Sequence, residues 1–252
     1  MNPILSIIVV TKNNEDELTK TLNSVALQDR HAEVVEIIVV NGGSDLAKWR
    51  IPQSLPNFMI IQQSDDGPFD AMKNGLLVSR GRYITFLNSG DFWHEKFDRS
   101  QLITELDNAN ASWLVGGAIK IFGDKIETWK VPRNFSIKFY FAINSFPHQA
   151  TFYLREQLLK FKSTFDTSIV ADWELSLLFY KVEPPLRLDF LIACNTAGGI
   201  SDRTSQLIRA KLVSAARRRA LQEGFPKYIL ELGLQVALIP IIRSKKLLNA
   251  NQ

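Results

Sequence analysis

Apolar residues in this chain gather into short runs separated by polar turns, and the period changes from run to run. Leu5-Ser6-Ile7-Ile8-Val9-Val10 and Val34-Val35-Glu36-Ile37-Ile38-Val39-Val40 each hold one polar residue in a largely β-branched stretch, the pattern of a strand covered on both faces. Phe58-Met59-Ile60-Ile61 and Tyr83-Ile84-Thr85-Phe86-Leu87 repeat it. Between the first two runs, Leu18, Leu22 and Val25 share one helical face. Asn13 or Asn14 can cap that helix, and Glu17, three residues after Asn14, completes a capping box. Between the third and fourth runs, Pro68 suits a first helical turn, Phe69, Met72 and Leu76 recur on one face, and Gly75 reads as the stop. Strand, helix, strand in this order predicts an α/β fold with a Rossmann-like, mostly parallel central sheet flanked by helices. Ligands of such sheets bind beyond the carboxyl ends of the strands. Four polar loops fall there: Thr11-Lys12-Asn13-Asn14, Asn41-Gly42-Gly43-Ser44-Asp45, Asp65-Asp66-Gly67 and Asn88-Ser89-Gly90-Asp91.

Beyond residue 100 the periodicity weakens. Leu102–Asn108 and Asp172–Tyr180 read as helices and Trp113–Phe122 as a strand, while residues 203–223 and 227–248 form two expected helices of a C-terminal tail. The chain therefore divides into residues 1–202 and a tail of residues 203–252. Charge follows the same boundary. From Arg203 onward ten cations stand against Glu223 and Glu231, a net +8 that leaves −4 for the first 202 residues out of the total of +4. A basic tail on a mildly acidic body points to an anionic surface as partner. No nucleic-acid reading motif accompanies the charge and no aromatics interleave with it, so nucleic acid is not expected.

The apolar segment Tyr228–Ile242 is too short for a membrane span and is broken by Glu231 and Pro240. Two readings stay open. It is an interfacial helix with the basic flank Arg243, Lys245 and Lys246, or an amphipathic helix packed on the first domain or on a second subunit. With 46% hydrophobic and 22% charged residues the chain is ordinary globular material. Its one cysteine, Cys194, cannot form an internal disulfide, and Met1-Asn2-Pro3-Ile4-Leu5-Ser6 lacks the basic and apolar regions of a signal peptide. A cytoplasmic chain is expected, peripheral at the inner face of the membrane if the tail binds there.

Candidate chemistry is concentrated in carboxylates. Asp91 follows a buried strand, where a carboxylate suits Mg²⁺ or Mn²⁺, although an aspartate there can also cap the next segment. Asp172, in Ile169-Val170-Ala171-Asp172-Trp173-Glu174-Leu175, opens a helix. It reads either as an N-cap or as a general base, a role typically worth ~10²–10⁴-fold. Asp65, Asp66 and Asp70 with Lys73 and Asn74 surround a helix amino end, whose free N–H groups suit phosphate or sugar oxygens. His31, His94 and His148 show no metal-ligand spacing. Gly-Lys-Ser/Thr and Gly-x-Gly-x-x-Gly are absent, which argues against a P-loop NTPase or a dinucleotide dehydrogenase.

The stretch from Asp65-Asp66-Gly67-Pro68-Phe69-Asp70-Ala71-Met72-Lys73-Asn74-Gly75 through Asn88-Ser89-Gly90-Asp91 closely resembles the nucleotide-sugar site of the family 2 glycosyltransferases, which have the A-type glycosyltransferase fold. The likeness spans roughly residues 4–200 and is greatest to the colanic-acid branch of surface-polysaccharide assembly. The resemblance implies that Asp91 is the metal-holding aspartate and Asp172 the catalytic base, with Glu174 as the fallback. It implies a donor pocket of Thr11, Asn13, Asn41, Gly43, Asp45, Asp66, Lys73, Asn88 and His148, and a loop at Gly198-Gly199-Ile200-Ser201 whose glycines permit closure. Asn41, Asn88 and Ala171 each stand where relatives often carry an acid.

On this resemblance the chain is expected to be an inverting hexosyltransferase using Mn²⁺ or Mg²⁺. It would move a sugar from a nucleotide-diphosphate donor to a hydroxyl of a glycan or lipid-linked acceptor. Two rivals are a non-catalytic nucleotide-sugar-binding subunit, which the three missing acids favour, and a nucleotidyltransferase, which would release pyrophosphate.

Overall fold

The computed structural model describes residues 2–26, 33–43, 55, 57–131, 146–166, 169–196 and 204–221. In chain order these form β1 (Leu5–Thr11), α1 (Glu15–Val25), β2 (Val35–Asn41), β3 (Phe58–Gln62), α2 (Pro68–Val78), β4 (Tyr83–Asn88), β5 (Phe92–Trp93) and α3 (Arg99–Asn108). There follow β6 (Trp113–Phe122), β7 (Lys125–Trp129), β8 (Thr151–Leu154), α4 (Arg155–Lys160), α5 (Ala171–Val182), β9 (Leu186–Thr196) and α6 (Gln206–Leu221). The strands lie in one sheet in the order β3-β2-β1-β4-β8-β6-β9-β5, with β7 paired to β6.

The first four strands are parallel, and β8 then runs antiparallel to β4. Beyond it β6 is antiparallel to β8 and parallel to β9, and β5 closes that edge antiparallel to β9. Register places the functional edge. Thr11 lies level with Asn41, Asn41 with Gln62, and Val10 with Asn88. The four parallel strands thus end together in polar residues. The chain reverses its direction of travel along the sheet between β1 and β4, the kind of switch point at which α/β sheets bind ligands.

Strands buried on both faces need helices on both sides, and the core divides accordingly. Ile8, Val10, Ile38 and Val40 face Met72 and Leu76 of α2, Leu175 and Phe179 of α5, and Val213 and Ala216 of α6. Ile7, Val9, Ile37 and Val39 face Leu18 and Leu22 of α1 and Leu102 and Leu106 of α3. Asn14 caps α1 as expected, its side chain accepting from Glu17 N, but among the described residues the return bond of a capping box is not made, the Glu17 carboxylate lying beside Gly90 instead. Gly75 corrects an expectation. It does not stop α2 but lies inside it, because a Cβ there would sit 2.5 Å from Ile8 Cγ2. The glycine lets the helix pack closely on β1, and the helix runs three residues further.

The expected helix over 203–223 is α6, whereas the expected helix over 227–248 lies outside the described residues. Strand β9 has no counterpart in the periodicity. Its exposed Leu186 and Asp189 break the alternation, and its pairing to β6 shifts register between Val115 and Ala118.

Candidate active site

At the carboxyl end of β4 the chain turns tightly. Asp91 N donates to Asn88 O at 2.9 Å, and the Asp91 side chain folds back so that Oδ2 accepts from Asn88 N and Asn88 Nδ2, both at 3.0 Å. Gln149 Nε2 adds a third donor at 3.3 Å. Thr21 of α1 fixes the turn from below, with its Oγ1 donating to Asp91 O at 2.7 Å and accepting from Gly90 N at 3.0 Å. Asp91 is only 7% exposed. Burial raises its pKa above the ordinary carboxylate value, and the His148 field with the Asn88 and Gln149 hydrogen bonds offset that only in part. Among the described residues no hydrogen bond reaches Asp91 Oδ1.

The antiparallel insertion of β8 beside β4 brings in His148 from the short 3₁₀ turn His148–Ala150. His148 Nε2 lies 3.4 Å from Asn88 Nδ2, and Nδ1 lies 3.6 Å from Asp172 Oδ2. Burial works against the charged imidazole. The hydrogen-bonding and charge of Asp172 and then the charge of Asp91 outweigh it, holding the ring above its ordinary value. Asp172 is the second residue of α5. The cap position falls to Val170 instead, and Asp172 Oδ1 accepts from Trp173 N at 2.8 Å. With its side chain 23% exposed, Asp172 is reachable by a ligand. The phenol of Tyr153 on β8 is pushed up by burial and by the Asp172 charge.

Thr11, Asn13, Asn41 and Gly43 come together at the ends of β1 and β2. Asn41 Nδ2 donates to Gln62 Oε1 at 2.8 Å, Gly43 N donates to Asn41 Oδ1 at 3.0 Å, and Gln62 Nε2 donates to Gly43 O at 2.5 Å. Asn13 adopts φ 54°, and a Cβ on Gly43 would meet its Oδ1 at 2.1 Å, so only glycine fits against that loop. Among the described residues the buried Thr11 hydroxyl has no hydrogen-bond partner, an orphan that a bound ligand can satisfy. Asp45 and the Gly198–Ser201 loop lie outside the described residues.

Around the amino end of α2 the acids serve the turn itself. Asp65 Oδ1 accepts from Gly67 N at 3.1 Å, and Asp70 Oδ2 accepts from Asp66 N at 3.3 Å. Lys73 is engaged across the fold, its Nζ 2.7 Å and 2.9 Å from the two Asp166 oxygens. Glu174, the fallback base, points away from Asp172's surroundings. It is 4% exposed and pairs with Arg219 of α6 at 2.5 and 3.2 Å, which commits it to holding the tail helix. Thr21, Gln62 and Gln149 were not singled out by sequence reasoning. Only Gln149 had a signal, its place next to the candidate His148.

Among the described residues no cluster of three or more His, Cys, Asp or Glu side chains gathers as a metal cage. A Mg²⁺-like cation does not require one, since it commonly takes one or two carboxylates plus substrate phosphates. A buried carboxylate with one oxygen free of hydrogen bonds fits that demand.

The polar ends of the parallel strands thus gather Asp91, Asn88, His148 and Asp172 at one edge of the sheet, and comparison with known proteins says which class of protein carries such an edge. Residues 6–168 match the model of glycosyl transferase family 2, and the chain belongs to that family. An uncharacterized glycosyltransferase of Mycobacterium tuberculosis is 31% identical over 182 residues, covering 69% of this chain and 68% of that protein. A PGL/p-HBAD biosynthesis glycosyltransferase of the same species is 25% identical over 216 residues, covering 79% and 80%. S. aureus TarS 1–349, solved with UDP-GlcNAc, shares the fold with a TM-score of 0.62 at 18% identity, covering 92% of this chain and 71% of that one. Mannosyltransferase PcManGT from Pyrobaculum calidifontis, solved with GDP-Man and Mn²⁺, has a TM-score of 0.62 at 14% identity, covering 100% and 80%.

Proposed function

We propose that this glycosyltransferase inverts configuration, moving a sugar from a nucleotide-diphosphate donor to a hydroxyl of a glycan or lipid-linked acceptor in bacterial surface-polysaccharide assembly. One observation carries the reading: Asp91 and Asp172, far apart in sequence, are linked through Asn88 and His148 at the carboxyl edge of the sheet. Asp172 takes the proton of the acceptor hydroxyl as that oxygen attacks the anomeric carbon from the face opposite the diphosphate. Thr11, Asn13, Asn41 and Gly43 receive the nucleoside, with Asp45, Asp66 and Lys73 at the rim of the donor pocket. For Lys73 this requires leaving Asp166. Asp91, through Oδ1, holds Mn²⁺ or Mg²⁺. A divalent cation bound there supplies charge neutralisation for the departing diphosphate.

The tail suits a peripheral membrane contact. Helix α6 contains no acid, and Arg209, Lys211 and Arg218 are exposed on it together with Leu207 and Ile208, whereas Arg217 is buried and Arg219 pairs with Glu174. Apolar burial and attraction to anionic lipid add at such a face. No helix among the described residues is long and apolar enough to cross a membrane.

The test is nucleoside-diphosphate release from a panel of nucleotide sugars with Mn²⁺, for wild type, Asp172→Asn and Asp91→Asn. Release with one donor, lost in both variants, supports the assignment. Donors that fail to bind by calorimetry would remove the pocket. Co-sedimentation with phosphatidylglycerol vesicles but not phosphatidylcholine vesicles, lost in Leu207→Asp/Ile208→Asp, tests the membrane contact.

A further inference from the structure

Asn88 stands where relatives often carry an acid, and its surroundings give a reason for the amide. An ionised Asp91 only accepts hydrogen bonds, so Asn88 must turn its nitrogen toward Oδ2, at 3.0 Å. That nitrogen has a second hydrogen, and its other polar neighbour is His148 Nε2 at 3.4 Å. A ring nitrogen that receives an N–H cannot carry a proton of its own. The proton of the neutral ring is then left on Nδ1, which faces Asp172 Oδ2.

We propose that Asn88 bridges Asp91 to His148, holds His148 in the Nδ1–H tautomer, and thereby aims that N–H at the Asp172 carboxylate. Asn88 and His148 are positioning residues for the base assigned above, so the catalytic part of the inference rests on that reading; the tautomer does not. The Nδ1–Oδ2 separation of 3.6 Å is longer than a formed hydrogen bond. Contacts of this kind often tighten only in the reacting complex. Trp173 N already holds Oδ1, and closure of His148 Nδ1 onto Oδ2 would engage both Asp172 oxygens while leaving each a lone pair for an acceptor hydroxyl.

The absent acid is then an adaptation. An aspartate at position 88 would set a second negative charge against Asp91. Facing His148 it could only accept, which would draw the ring proton to Nε2 and leave a bare Nδ1 against Asp172.

The experiment is a long-range ¹H–¹⁵N correlation on the full chain without donor or metal, at a pH that leaves the ring neutral. The chain has three histidines, so a His31→Gln/His94→Gln variant isolates the His148 ring. A proton on Nδ1 is expected. A proton on Nε2, or a ring averaging between tautomers, overturns the proposal. Asn88→Asp is expected to move the proton to Nε2, and an unchanged ring overturns the role of Asn88. His148→Gln should lower kcat roughly 10–100-fold, the range for a residue that orients a reacting group, with donor KM unchanged. A raised KM with unchanged kcat would make His148 a donor contact and overturn its positioning role. Wild-type silence toward every donor would remove the glycosyl-transfer assignment and leave the tautomer result standing. A wrong tautomer in an active enzyme removes only this inference.

Discussion

Glu36 and Asp91 are carboxylates buried at opposite edges of the same parallel strands, 2% and 7% exposed. At the amino edge, Glu36 Oε1 accepts from Ser6 Oγ at 2.6 Å, Arg80 N at 2.5 Å and Gly81 N at 3.0 Å, and Oε2 accepts from Arg80 Nε at 3.1 Å. Both oxygens are used, a cation is beside them, and the turn between α2 and β4 is fastened. At the carboxyl edge, Asp91 crowds its donors onto one oxygen, Oδ2. Burial accordingly raises its pKa. A satisfied buried charge holds a fold together, whereas one left partly bare costs stability and is kept for a ligand.

The largest expected effects fall on catalysis. Asp172→Asn should lower turnover by ~10²–10⁴-fold, read as nucleoside-diphosphate release. Asp91→Asn should abolish metal-dependent turnover while leaving the ligand-free protein as stable as wild type or more so. The sign follows from the raised pKa. Folding favours protonated Asp91, so its relative contribution is present below the ordinary carboxylate value and is lost as pH rises through the raised value. Wherever Asp91 is ionised its charge is a cost that the amide removes. Thermal unfolding of the two proteins, with and without Mn²⁺ and a nucleoside diphosphate, checks this. A clear loss of stability in ligand-free Asp91→Asn would make Asp91 a structural residue like Glu36.

Glu36→Ala should show the reverse. It strands the Ser6 O–H and Arg80 N, each worth about 1–3 kcal/mol when buried and unsatisfied, while Gly81 N keeps Ser6 Oγ as acceptor at 2.8 Å. A loss of about 2–4 kcal/mol is expected, lowering the melting temperature by roughly 5–15 °C for a chain of this size. Turnover per folded molecule should not change. If it fell with stability intact, the two edges would not be separable.

The parallel half of the fold was legible because its strands are compact apolar runs and the two described crossover helices carry a cap, Asn14, or a proline, Pro68. The expected strand Leu5–Val10 is β1 but for one residue, Asn14 caps α1, and Trp113–Phe122 has the bounds of β6. Local signals of this kind depend on neighbours in sequence. The antiparallel half does not supply them. β9 pairs with β6 through a register shift, and β8 is four residues long. Its insertion beside β4 is what carries His148 and Gln149 to Asn88 and Asp91, a contact no periodicity encodes. Asp91 and Asp172 were legible as types of residue, but their link through Asn88 and His148 was not. Gly75 misled because glycine reads as a helix stop when only the local chain is considered. Its real constraint is Ile8, on the strand beneath.

The smallest effect concerns a third buried carboxylate, Glu174, which sits two residues from Asp172 and yet behaves like Glu36. Its partner Arg219 is 44% exposed, so solvent screening limits the pair to about 1 kcal/mol of coupling in a double-mutant cycle. Arg219→Ala should nevertheless cost more than Glu174→Gln, because it leaves a side chain that is 5% exposed charged and without this cation. The same pair decides between the two candidate bases. If Asp172 takes the acceptor's proton, Glu174→Gln keeps most turnover and Asp172→Asn loses it. If the order is reversed, Glu174 must leave Arg219 to act, and α6 would have to part from α5 during the reaction. Steady-state turnover of these two variants, beside urea unfolding of each, separates a carboxylate that holds the tail helix from one that works on substrate.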